Sequence, residues 1–233
     1  MTTILTLQPG AEGVDTRILR RTTDGLGSNY NCGTSTQLGM GQNTVNIIYR
    51  SLLKFDLSAL PAGSAVLGAI LTMTLSGYDD NDTVDMPVHR ALTQWWEGVK
   101  NTVPPDAGQD GSTWDLRNAN GAVPWAGGAG GASGLDWAAV ATATTPVKYT
   151  GPFTWDVTAD VRAWHDGTYP NYGWWILGNE APSKMKSFHS SDAGAGVEKP
   201  KLTIAYIPPN TTVGTGTQRV GVQGGAIHVR VSP

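Results

Sequence analysis

The stretch at residues 50–75, RSLLKFDLSALPAGSAVLGAILTMTL, constrains the fold more than any other part of the chain. Leu53, Phe55 and Leu57 fall on one side of an extended segment, with Lys54 and Asp56 on the other. This period-2 alternation is that of a β-strand with one buried face. Residues 58–64 supply turn chemistry, with Pro61 fixing φ and Gly63 free to take a positive value. Ala69, Leu71, Met73 and Leu75 then make a second inward face, with Thr72 and Thr74 between them. The pattern predicts two strands folded back on each other, and a core built of sheet.

The rest of the chain extends that reading. Thirty Gly, fourteen Pro and only 15% charged residues among 233 favour many short strands joined by turns. Further strands are expected at 4–7 and 15–19, around a Pro9-Gly10 turn, and at 36–41, 86–92, 153–157, 172–177, 188–191 and 201–206. The run 172–177 is apolar enough to be buried on both faces. Residues 43–48 are open between a loop and the lead-in to the next strand.

One short helix is expected at about 159–165, with Thr158 as its N-cap and Asp166-Gly167 as its stop. Residues 135–141 have the composition for one helical turn. The glycine-rich tract at 99–134 cannot bury a face of its own and reads as a long loop. Pro208-Pro209 marks a boundary between a domain at 1–206 and a tail at 207–233. Within the tail, residues 217–222 and 226–231 bracket Gln223-Gly224-Gly225, a hairpin signal. A two-stranded ribbon alone is marginal in water, so this one is expected to pack on the domain or on another subunit.

Several of these segments together resemble a DNRLRE (disaggregatase-related) domain. The resemblance lies in Asp15-Thr16-Arg17-Ile18, Asn29-Tyr30-Asn31, Leu38-Gly39-Met40-Gly41, the 50–75 stretch and VHRALTQWWEG at 88–98. It continues in Ser112-Thr113-Trp114, FTWDVTADVRAWHDG at 153–167, NYGWWILG at 171–178, FHSS at 188–191 and KPKLTIAY at 199–206. It covers roughly residues 5–206. It implies a jelly-roll β-sandwich of two antiparallel sheets, of a kind attached to secreted polysaccharide-acting enzymes and surface proteins. Some relatives are regarded as carbohydrate-binding modules.

Charge and motifs exclude more than they assign. Sixteen basic against nineteen acidic residues, without long runs, support neither a nucleic-acid groove nor a polybasic membrane patch. The first residues, MTTILTLQPG, carry no basic n-region and too short an apolar run to span a membrane. Cys32 is the single cysteine, expected as a small buried filler. No G-x-S-x-G, P-loop, H-E-x-x-H or C-x-x-C occurs, and nothing in the sequence pairs two carboxylates at one site, so no catalytic residue is assigned. His89 and His189 sit in strand-like runs and read as structural.

Two candidate binding sets remain. Asp79, Asn81, Thr83 and Asp85 alternate and could offer oxygens to Ca²⁺. An EF-hand would need Gly and Glu where this chain has Val84 and Arg90, and a plain turn needs no metal. Among the aromatics, Trp155, Trp164 and Trp174 fall in apolar-periodic segments and read as core. Trp95 and Trp96 are adjacent, so one of the pair faces outward. Trp96, together with Trp114, Trp125 and Trp137 in or near the glycine-rich loop, is a candidate platform for sugars or protein partners, or else a cover for one end of the sandwich.

Two functions are therefore expected. One is a non-catalytic structural and adhesive component of a phage virion, such as a capsid decoration, head-fibre or tail protein. It would sit at the virion surface, bound to other virion subunits or to its own copies, with cell-surface polysaccharide as a further ligand. The other is an extracellular carbohydrate-binding module of a secreted enzyme.

Overall fold

The computed structural model describes residues 1–8 and 13–209, and the backbone of 219–223 and 226–230. The Pro9-Gly10 turn, and Thr217, Gly224, Gly225 and Val231 of the tail, lie outside the described residues. In chain order the strands are β1 (Thr3–Leu7), β2 (Gly13–Arg21), β3 (Gln37–Gln42), β4 (Ile47–Phe55), β5 (Ala65–Tyr78) and β6 (Val84–Arg90). The two short strands β7 (Leu116–Asn118) and β8 (Val123–Pro124) follow, then β9 (Ala143–Val147) and β10 (Gly151–Asp156). After the helix α1 (Thr158–His165) come β11 (Trp174–Ile176), β12 (Lys186–His189) and β13 (Lys201–Ile207), and finally β14 (Arg219–Gln223) and β15 (Ala226–Arg230).

Eleven of these strands form one antiparallel network folded into a sandwich. One layer, sheet A, runs β1-β13-β5-β10, with β12 beside the far end of β5. The other, sheet B, runs β2-β4-β11-β6-β9. Strand β3 belongs to both, pairing β12 through residues 37–40 and β4 through residues 41–42. The corner falls at Gly41, whose φ is +95°. A Cβ there would lie 2.6 Å from the Asn179 carbonyl oxygen, so the bend takes only glycine.

Strands β4 and β5 do not pair with each other, which corrects the expectation of a hairpin at 50–75. Strand β4 lies in sheet B and β5 in sheet A, and their inward residues meet across the core. Leu53 and Phe55 face Ala69, Leu71, Met73 and Leu75 within one cluster that also takes in Trp155, Trp164, Trp174 and Phe188. Alternation fixes which residues point inward but not which strand lies alongside, so an arch between layers has the same pattern as a hairpin. Consecutive strands change layer repeatedly along the chain, which is a jelly-roll-like arrangement.

Two local expectations change as well. Helix α1 is capped not by Thr158 but by Val157, without a side-chain bond; the Thr158 hydroxyl instead accepts from the Ala69 amide at 2.9 Å, tying the helix to β5. Residues 135–141 form turns and a β-bridge at Trp137, not a helical turn. In the tail, β14 and β15 pair antiparallel as expected, from Arg219 opposite Arg230 to Gln223 opposite Ala226.

Candidate functional site

The glycine-rich tract folds down over sheet B as a lid. The outward faces of β2, β4 and β11 carry the large apolar residues Ile18, Leu52 and Trp175, so that face needs a cover. Ile18, Leu52 and Trp175 from the sheet meet Ala91, Trp95, Trp114, Trp125 and Trp137 from the covering segment in a second hydrophobic cluster. Trp125 and Trp137 each pack 4.8 Å from Trp175 by ring centroid. Gly130 and Gly131, both at positive φ, let the backbone touch these rings; a Cβ would come within 2.6 Å of Trp114 and 2.8 Å of Trp137.

Polar groups latch the lid. The buried Asp136 carboxylate accepts from the amides of Ala126, Gly127 and Ala132 at 2.8–2.9 Å, and from the Thr93 hydroxyl at 3.3 Å. Arg50, on the same face of β4, lies over Trp114 and Trp137, donates to the Gly130 carbonyl and pairs with Glu180.

The lid corrects the expectation of exposed tryptophan platforms. Trp114, Trp125 and Trp137 are 5%, 2% and 7% exposed, because their rings fill the space between loop and sheet. Trp96 alone of that set is only half-buried, with Arg117 over its ring. Trp95 is buried beside it and donates its indole N–H to the Tyr172 carbonyl, as adjacent residues facing opposite ways require. Cys32 is a buried filler, and His89 bonds the Ala138 carbonyl through Nδ1 at 2.8 Å.

The turn after β5 also differs from expectation, because its oxygens surround lysine ammonium groups. Lys186, fully buried, donates Nζ to the carbonyls of Asp80 and Asp82 at 2.8 and 2.9 Å. Lys184 pairs with the carboxylates of Asp80 and Asp82. Of the residues expected to bind Ca²⁺, Asp79 accepts from the Thr44 amide, while Asn81 and Asp85 point to solvent. The positive charge beside Asp80 and Asp82 thus comes from Lys184 and Lys186 of the same chain.

A carboxylate cluster that sequence reasoning missed lies elsewhere. Asp15 on β2, Glu97 after β6 and Asp192 after β12 each present an oxygen, and these atoms lie within 4.8 Å of one another. The expectation that no carboxylates pair at a site is thus overturned. Asp15 is buried; its amide donates to Glu97 Oε1 at 2.9 Å and its Oδ2 accepts from the Ser191 amide at 2.7 Å. Asn31 holds the Glu97 segment, donating from Nδ2 to the carbonyls of Glu97 and Ser112. Ser190 fixes the Asp192 segment by donating to the Ser35 carbonyl.

Burial raises the Asp15 carboxyl to about 8, against the pull of the Ser191 amide and with help from the neighbouring Glu97 and Asp192 charges. Glu97 rises to about 7 by burial and the charge of Asp192, while Asp192 is raised by burial and pulled down by Lys199. Such a trio can hold protons at neutral pH, or present its oxygens to a hard cation. Its members stand 82 and 95 positions apart, and only the fold brings them together.

A third feature is an open groove of about 560 Å³ beside α1, lined by Leu67, Thr142, Ala143, Asp156, Thr158, Ala159 and Arg162. Its Arg162 guanidinium is fixed by the carbonyls of Val66 and Leu67 at 2.8 Å. No protein-family model matches the chain, and no curated protein matches it.

Proposed function

We propose that the chain is a non-catalytic structural and adhesive protein, a phage virion component at the virion surface that docks on neighbouring subunits. The observation that carries this reading is the ribbon of β14 and β15. It forms a separate two-stranded sheet, and among the described residues neither strand extends sheet A or sheet B. A ribbon of five-residue strands is marginal in water without further packing, so a neighbour that covers it completes the structure. The likeness to DNRLRE domains, which occur in surface proteins, agrees with adhesion as the work of the sandwich.

The test compares the full chain with a chain lacking residues 207–233, by light scattering alone and by co-sedimentation with co-produced virion subunits. Association that depends on the tail is expected. A chain that binds glycans as a monomer, equally well without the tail, would overturn the reading.

That second outcome belongs to the carbohydrate-binding reading, which the groove beside α1 favours. Asp156, Thr158 and Arg162 line it with the donors and acceptors that sugar hydroxyls need. The buried rings of Trp114, Trp125 and Trp137 offer it nothing. In that case Arg162→Ala would abolish glycan binding and Trp96→Ala would weaken it.

A further inference from the structure

Asn120 is the only asparagine in the chain that is followed by glycine. The pair lies in the turn between β7 and β8, the hairpin that sets Leu116 opposite Pro124 and Asn118 opposite Val123. Both residues are exposed. Gly121 takes a φ of +75°, and a Cβ there would meet nothing nearer than Val123 Cγ2 at 3.8 Å. The turn is thus unpacked on that side.

Its hydrogen bonds leave two groups free. The Ala122 amide donates to the Ala119 carbonyl at 3.1 Å, and the Asn120 amide to Asn118 Oδ1 at 3.2 Å. Among the described residues, neither the Asn120 side-chain amide nor the Gly121 backbone N–H makes a hydrogen bond. These are the two groups that can react with each other. The Gly121 nitrogen attacks Cγ of Asn120 and gives up its proton, and ammonia leaves as the C–N bond of the side-chain amide breaks. The product is a five-membered succinimide ring. Water opens it at one carbonyl to give aspartate, or at the other to give isoaspartate, in which the chain runs on through the side-chain carbon. A side chain on the following residue, or a packed and bonded backbone, would hinder the attack. Glycine removes the first hindrance, and the exposed turn, closed by bonds that water can replace, removes most of the second.

We propose that Asn120 is a self-modification site, at which the folded chain converts its own Asn120-Gly121 link to aspartate and isoaspartate with water as the co-reactant. The change reaches the lid through the hairpin. Trp125 donates its indole N–H to the Thr113 carbonyl, and Thr113 bonds Leu116 at the base of the same hairpin. Isoaspartate adds a backbone atom to the turn and shifts the pairing of Asn118 with Val123. Aspartate keeps the backbone and adds one negative charge to a chain already at −3.

The experiment incubates the full chain in warm, mildly alkaline buffer, folded and, in parallel, unfolded in urea. Peptide mass spectrometry should show a gain of about one dalton at Asn120, in two products that electron-transfer fragmentation tells apart. In the folded chain this gain should be at least about tenfold faster than at Asn81 and Asn101, which are also exposed but precede larger residues. Hydrogen exchange at 113–125 should accelerate in the aged chain and not in an Asn120→Ser variant kept alongside it. If Asn120 is modified in urea but stays intact in the folded chain, the turn protects it and the inference falls. Equal rates at Asn81, Asn101 and Asn120 overturn it as well.

Discussion

At the scale of single residues, Asp15 shows how burial sets chemistry. Its carboxyl is neutral in the folded chain up to about pH 8, whereas in the unfolded chain it ionises in the ordinary carboxylate range. Unfolding therefore releases a proton across that window. The stabilisation is complete below the ordinary range and is lost as pH rises through about 8, with Glu97 following the same sign through about 7. In buffer containing a chelator, the melting temperature should fall between pH 5 and pH 8.5. Asp15→Asn keeps an oxygen for the Ser191 amide and removes the charge, so it should flatten that slope and be the more stable chain at pH 8. An unchanged slope would mean that Asp15 titrates normally. Trp125 gives the opposite lesson. Its ring is 2% exposed and its indole N–H meets the Thr113 carbonyl, so Trp125→Ala should cost about 3–5 kcal/mol in denaturant unfolding. Lost ligand binding without lost stability would argue against the lid.

At the scale of elements, the lid is held by a single carboxylate more than by secondary structure. Asp136→Ala would leave the amides of Ala126, Gly127 and Ala132 without their acceptor. Hydrogen exchange at 126–132 should accelerate by at least tenfold while β5 and β13 keep their protection. Equal acceleration everywhere would show that lid and sandwich open as one unit. This element also marks how far the sequence could be read. Alternation located β4, β5, β10 and β13 because each has one face in the core, and a Thr-Ala-Asp start with an Asp-Gly stop located α1. The lid has no period, since its residues are held by glycine contacts with rings far away in sequence. Its tryptophans read as surface platforms because a loop rich in glycine gives no sign of what lies beneath it. Likewise Lys186 reads as an ordinary charged residue; that its ammonium group sits among the carbonyls of a turn some 105 positions earlier is visible only in the fold.

At the scale of the whole molecule, one strand joins two layers. Because β3 pairs in both, neither sheet can separate without breaking hydrogen bonds of the other. The carboxylate cluster belongs to this scale too, since β2 and the segments after β6 and β12 meet only when both sheets are complete. The contrast between the layers carries a last consequence. A slab that is bare on both sides can stack without end, each copy offering a fresh surface to the next. Here the tryptophan lid covers one side, so among the described residues only sheet A is left open to a neighbour placed face to face. A neighbour seated there would leave the lidded side outward, so stacking of that kind would end with the first layer.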